Sequence, residues 1–266
     1  MNFSNTLFRC SALSKLMAEP KGEKDKREGN LSEGAKTHLV DIYVSNKYGR
    51  NTNIQTKYTS KGLMVEEDSI TLYSRLKKRF FKKNIEAISN SMIKGTPDFY
   101  IGESIRNAEE IIDAKSSWDI FTFFRVVTKP INPDYWWQMQ GYMALSGASC
   151  ATLAYCLIDT PETLINDEKR RLLYQMGVAT EENNDYQEAC LELDKLMRYG
   201  DIPIEERMIE FKIERDNEAI ARLYAKVLKA RDYLNQIEYE RFGFMPEEKK
   251  VDTDFDPTSI LLTKIK

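Results

Sequence analysis

Asp98, Asp113 and Lys115 are the side chains in this chain whose types and spacing best suit chemistry. They lie in GTPDFYIGESIRNAEEIIDAKSSW, residues 95–118, where the apolar runs Phe99-Tyr100-Ile101 and Ile111-Ile112 flank a polar turn. The runs read as two strands, 94–103 and 110–117, paired antiparallel. Residues two apart on a strand share a face, so Asp113 and Lys115 project together. Carboxylates held close repel each other, and burial disfavours both charges. A divalent cation reverses that balance. Mg²⁺, a hard ion, prefers oxygen ligands and keeps several waters. Held by Asp98 and Asp113, it would polarise a phosphoryl oxygen and lower the pKa of a bound water. The Lys115 ammonium would orient that water or stabilise charge on the phosphate. The competing reading is a surface turn closed by an Asp113–Lys115 salt bridge.

A third acid, Glu66, follows Gly62 in KGLMVEEDSI. Gly62 would permit close approach, and Glu66 lies one turn further on. A helix packed on the two strands could aim Glu66 at the same metal. Glu67 and Asp68 stay open as alternatives, and Asp68 also suits charge complementation of a helix N-terminus. In YWWQMQGYM, Tyr135, Gln138 and Tyr142 share one helical face. A buried glutamine needs partners. Gln138 is therefore exposed or aimed at a polar group such as a carboxylate ligand. Trp136, Trp137 and Met139 read as core rather than as stacking platforms for bases.

The elements that must position these residues alternate between helix and strand. Residues 4–18 read as a short helix with Leu13, Leu16 and Met17 on one side. The polar stretch 19–30 reads as a loop, and 31–49 resumes a helical pattern. Residues 61–83 read as one long helix, with Leu63, Ile70, Leu72, Leu76 and Phe80 as its apolar positions. Residues 134–147 form a helix ending at Gly147, and 150–159 a buried strand. Residues 162–200 read as charged helix with a break near Gly177, 206–216 as a strand and 217–240 as an amphipathic helix. This order predicts an α/β (α+β) fold with a central mixed sheet flanked by helices. It is read as one domain over 1–245 with a loosely ordered tail at 246–266.

Composition excludes several classes. The 266 residues are 42% hydrophobic and 30% charged, with a net charge of −3. Cys10, Cys150, Cys156 and Cys190 form no C-x-x-C pair, so a zinc knuckle or iron–sulfur cluster is not indicated. Scattered neutral thiols fit a reducing compartment. With His38 alone, mechanisms needing several histidines are excluded. No signal peptide, no run near the ~18 apolar residues of a membrane span and no phosphate-binding G-x-x-x-x-G-K-[ST] loop is read.

Taken in order, these pieces resemble the PD-(D/E)XK nuclease superfamily, and most closely its lambda-type, YqaJ-like phage recombination exonucleases. The resemblance rests on Gly62 and Glu66, Pro97 and Asp98, Asp113 and Lys115, and Tyr135 and Gln138, and covers roughly residues 7–160. It implies a restriction-endonuclease-like fold. It also implies Glu66, Asp98, Asp113 and the Ala114 carbonyl as ligands of Mg²⁺, with Mn²⁺ as an alternative. Lys115 would be catalytic with Gln138 beside it. FRCSALSKLMAEP is similar to the family's opening helix, so Arg9 and Ser11 are expected to meet a 5′ phosphate. An N-capping role for Ser11 is the competing reading. Asp113 departs from the glutamate usual in lambda-type enzymes and is one methylene shorter. Glu103, Glu109 and Glu110 read as a solvated turn, with Glu110 as a register-shifted alternative acid.

The basic stretch SRLKKRFFKK holds Arg75, Lys77, Lys78, Arg79, Lys82 and Lys83 and follows the helix of Glu66. Within the nuclease reading, Arg75, Lys78, Arg79 and Lys82, together with Tyr135, are expected to bind DNA. Phe80 is expected in the core. The implied activity is Mg²⁺-dependent, 5′ to 3′ exonuclease action on double-stranded DNA ends for phage or prophage recombination, alongside a single-strand annealing protein. The implied location is the host cytoplasm, and a ring-shaped trimer is implied by resemblance alone. The alternatives are an endonuclease of restriction or repair type and a non-catalytic DNA-binding protein on the same fold.

Overall fold

The computed structural model describes residues 1–52 and 56–243, so the expected tail lies outside the described residues. The N-terminal part contains β1 (Phe8–Arg9), α1 (Leu13–Met17), α2 (Glu23–Arg27), α3 (Glu33–Tyr48), α4 (Lys57–Met64) and α5 (Glu66–Leu76). Next come β2 (Ile88–Ser89), β3 (Ile93–Gly95), β4 (Phe99–Gly102), β5 (Ala108–Ser116), α6 (Ile120–Arg125), α7 (Pro133–Ser146) and β6 (Cys150–Cys156). The chain continues through α8 (Glu162–Met176), α9 (Asn184–Met197), β7 (Met208–Glu214) and α10 (Asn217–Phe242).

The fold is α+β with two mixed sheets. The larger has the order β4-β5-β6-β7, with β5 and β6 parallel and both outer pairs antiparallel. The smaller has the order β1-β3-β2. Strand alternation sorts β5 into two layers. Ile111 points into the main core with Met139 and Met143 of α7 and Leu223 and Val227 of α10. Ile112 points the other way, with Phe99, Ile70, Tyr73 and Phe81 on the α5 side. Asp113 and Lys115 follow Ile111 and therefore belong to the α7 layer.

Local chemistry explains why α7 sits there. The Asn132 side chain accepts from Asp134 N and Pro133 occupies the first turn, which suits an N-terminus lacking intrahelical partners. Gly147, at φ 82°, ends the helix in the left-handed region. A Cβ on Gly141 would lie 2.7 Å from Leu13 Cδ1 and 2.9 Å from Cys10 Sγ, so α7 packs against α1 through that glycine. The expected close approach at Gly62 is absent, since nothing lies within 4 Å of a Cβ built there.

The antiparallel pairing of β5 with β4, and the helices α3, α7 and α10, match the sequence pattern, but the expected strand 94–103 is split between β3 of the smaller sheet and β4 of the larger. Elsewhere tertiary pairing overrides it. The expected helix 4–18 is reduced to α1, because Phe8 and Arg9 pair in parallel with Ile93 and Lys94. The expected loop 19–30 contains the single turn of α2, closed by a 2.7 Å Lys26–Glu23 ion pair. The expected helix 61–83 breaks at Val65 (φ −109°, ψ 15°) and stops at Leu76. Lys78 then takes φ 51°, a conformation a continuing helix cannot contain. With the helix ended, Phe81 turns into the core at 8% exposure, while Phe80 stands 84% exposed. Leu63, another expected core position, is 66% exposed. Among the described residues no helix is long and apolar enough to cross a membrane.

Candidate active site

Strand β4 begins one residue after Asp98, and β5 runs antiparallel beside it, with Phe99 opposite Ile112. That register brings Asp98 to Asp113 and Ala114. Asp98 Oδ2 accepts a 2.8 Å hydrogen bond from Ala114 N. Asp113 is 1% exposed, and its Oδ2 lies 2.5 Å from Lys115 Nζ. No donor is aligned on that oxygen, so the contact is a charge pair rather than a directed hydrogen bond. Lys115 also lies over the Tyr135 ring, 5.0 Å from its centroid. From α7, Gln138 Nε2 donates to Tyr142 OH at 2.8 Å and reaches Asp113 Oδ1 at 3.5 Å. Tyr142 OH in turn donates to Thr96 O at 3.3 Å. Gln138 is therefore buried and directed at the acid, one of the two roles its sequence context allowed.

The electrostatics are those of like charges forced together. Burial, then the neighbouring Asp113 charge, pushes Asp98 up to about 8, against the opposing effects of Lys115 and the Ala114 N–H. Burial alone would lower Lys115, but Asp113 and Asp98 outweigh it and hold the ammonium above its ordinary range. Burial, followed by the charge of Asp113, also raises the Tyr142 phenol. A buried Asp113 carboxylate beside the half-buried Asp98 fits a hard divalent cation.

Glu66 opens α5, which is tied to the end of β5 by a 2.8 Å Ser69–Ser116 hydroxyl bond. Its charge acts on Asp98, but its carboxylate is held by Lys83 Nζ at 2.8 Å. Among the described residues no three acidic, histidine or cysteine side chains converge on one metal-sized point. The structure thus brings together Asp98, Asp113, Ala114, Lys115, Gln138 and Tyr135, with Glu66 adjacent but turned to Lys83. Lys83 is a site residue that sequence reading counted only as part of a basic run. Its 17-residue separation from Glu66 gives no helical signal. Glu67 and Asp68 lie in the first turn of α5 and are exposed.

Glu110 is not an alternative acid. It falls on the α5 face of β5, where it accepts a 2.5 Å bond from Thr152 Oγ1. Arg9 and Ser11 are exposed, and Ser11 caps neither the 3-10 turn 10–12 nor α1. Arg75, Lys78, Arg79 and Phe80 line a surface groove beyond α5 with Thr71 and Ser74. Lys82 is exposed on the same segment, while Lys77 pairs with Glu210 at 2.5 Å. Trp136 and Trp137 pack against the main core and Met139 is fully buried, as expected.

The chain matches solved exonuclease structures. A phage-related exonuclease from Haemophilus somnus 129PT superposes with a TM-score of 0.71 at 30% identity, covering 89% of this chain and 96% of that one. An alkaline exonuclease from Laribacter hongkongensis superposes with a TM-score of 0.57, covering 89% and 92%, and a complex of that enzyme with dAMP matches equally. At 15% identity, the Laribacter match shows the fold alone. No protein-family model and no curated protein matches the chain.

Proposed function

The chain belongs to the lambda-type, YqaJ-like phage exonucleases of the PD-(D/E)XK superfamily and is a nuclease; from that premise we propose that it degrades duplex DNA from its ends, 5′ to 3′, with Mg²⁺. The observation that carries this reading is the buried Asp98–Asp113 pair with Lys115 Nζ 2.5 Å from Asp113. Asp98 and Asp113 would hold the ion, with Glu66 and the Ala114 carbonyl as further ligands by family resemblance. A bound Mg²⁺ supplies polarisation of a phosphoryl oxygen and a water of lowered pKa, and Mn²⁺ would serve in its place.

The protein's own groups do the rest. Lys115 carries a permanent charge at the mouth of the acid pair, positioned to orient the attacking water and to offset charge growing on the scissile phosphate. Gln138, fixed by Tyr142, holds the Asp113 carboxylate in one orientation. The Tyr135 ring under Lys115 limits where the ammonium can go. Arg75, Lys78, Arg79 and Lys82 are proposed to follow the DNA backbone, and Arg9 and Ser11 to meet its 5′ phosphate. Release of mononucleotides is part of the same proposal, and the Laribacter enzyme is known in complex with dAMP. A recombination role beside a single-strand annealing protein, and a trimeric assembly, belong to the same proposal.

Incubation with linear and circular duplexes in Mg²⁺ or EDTA, beside Lys115→Ala, tests it. Mg²⁺-dependent loss of the linear form alone, abolished in the variant, is the expected result. Cutting of the circle would point to an endonuclease, and binding without cutting to a DNA-binding protein.

A further inference from the structure

Lys83 lies beyond the end of α5, yet it occupies the carboxylate that the acid pair lacks. The Glu66–Lys83 pair is 2.8 Å long, with the side chains 23% and 37% exposed. Asp98 and Glu67 also act on the Lys83 charge. The next residue is anchored at the site itself: Asn84 N donates to Asp98 O at 2.6 Å, and Asn84 Nδ2 donates to Pro97 O at 2.9 Å. The residues before it run the other way. The segment leaves α5 through the left-handed Lys78 and presents Lys78, Arg79, Phe80 and Lys82 to solvent. Lys83 therefore sits at the junction between a basic surface segment and a backbone tied to Asp98.

We propose that Lys83 is a substrate-released latch: it holds Glu66 away from the metal ligands until a DNA phosphate takes its ammonium, whereupon Glu66 turns to Asp98 and Asp113. This inference rests on the nuclease reading above and specifies how that site is regulated. An ammonium is a compact charge with three donors and pairs with carboxylate or phosphate alike. A half-exposed ion pair is weak enough to exchange partners. An anionic DNA backbone arriving at Lys78, Arg79 and Lys82 brings phosphate to that ammonium. Metal and DNA then favour each other's binding by the same factor, because coupling between sites is reciprocal.

The test is Mn²⁺ affinity of the full chain, read from the free-ion paramagnetic resonance signal, with and without a phosphorothioate duplex that resists cleavage. Asp113→Asn supplies the background. In the wild type the duplex should tighten Mn²⁺ binding about three- to fivefold, the weight of one partly exposed ion pair. Lys83→Met should show that tighter binding without DNA and gain nothing from the duplex. Lys83→Gln, which keeps a donor without the charge, should behave the same way. Lys83→Arg should resemble the wild type, and so should Lys82→Met when no DNA is present. Wild-type Mn²⁺ affinity in both Lys83→Met and Lys83→Gln would overturn the latch while leaving the metal site standing. Mn²⁺ binding that Asp113→Asn does not weaken would overturn the metal site and the latch together.

Discussion

Two clusters of acids and cations lie on opposite faces of the larger sheet, and they are built on opposite plans. On the α5 face Glu110 accepts from Thr152, and Glu210 pairs with Lys77 at 2.5 Å. Each acid there has its own partner. On the α7 face Asp98 and Asp113 lie together, and Lys115 pairs with Asp113 while only its charge reaches Asp98. Partnered charges fix a fold. Like charges left side by side in a buried setting are relieved by a proton or by a further cation, and that imbalance marks the candidate reactive face. Similar acids and lysines on the two faces of one sheet therefore differ by how they are paired.

Substitutions on the two faces should separate just as clearly. The largest effect is expected from Lys115→Ala, which should slow loss of linear duplex by about 10²–10³-fold, the usual consequence of deleting one donor to transition-state charge. Initial rates at saturating DNA measure it, and a rate near wild type would erase the distinction between the faces. Next comes metal binding. At roughly 100 times its Kd, Mg²⁺ should stabilise the protein by about 2.7 kcal/mol and raise Tm by several degrees. Asp98→Asn should remove that shift and Glu110→Gln should keep it, as followed by thermal unfolding with and without EDTA.

A buried lysine away from both faces extends the comparison. Lys61 of α4, 1% exposed, donates to Trp118 O at 2.9 Å and has no carboxylate partner among the described residues. Burial pushes its ammonium down to about 8, against the pull of Asp119 and Asp159. Its folded pKa lies below the unfolded value of about 10.4. Between those values the unfolded chain holds the proton and the folded chain does not, so stability contributed by this group rises with pH from about 8 to about 10.4. Lys61→Met should flatten that rise and stabilise the protein near pH 7 by about 1–3 kcal/mol, since it removes a buried unpaired charge. Denaturant unfolding at pH 7 and pH 9.5 checks both, and a steeper rise in the variant would refute the assignment. The smallest effect belongs to Thr152→Val. It should cost about 1 kcal/mol by orphaning Glu110, and cleavage should stay within about twofold of wild type, where only surface-level changes are expected.

Much of the reactive face could be read from the sequence because it is local. The two-residue spacing of Asp113 and Lys115 fixes their common face, and the turn spacing of Tyr135, Gln138 and Tyr142 fixes theirs. The family resemblance supplied the order of the motifs. What depends on distant partners was not legible. Phe81 rather than Phe80 enters the core because the helix stops at Leu76, and apolar periodicity cannot tell which of two adjacent rings turns inward after a left-handed residue. Glu110 is separated from the site by strand parity, which needs the register of β5 and not its composition. The helical expectation at residues 4–18 gave way to β1, since two residues paired with β3 carry no periodic signal of their own. Lys83 was hidden for the same reason, its role being set by a contact across 17 residues.

Anomalous diffraction from a crystal soaked in Mn²⁺ would show whether Asp98 and Asp113 form the metal-holding pair of a nuclease. One strong peak contacted by both carboxylates is expected, with Lys115 Nζ displaced from the 2.5 Å contact it makes with Asp113. A peak elsewhere in a crystal of protein that degrades linear DNA, with the Lys115–Asp113 contact intact, would contradict it.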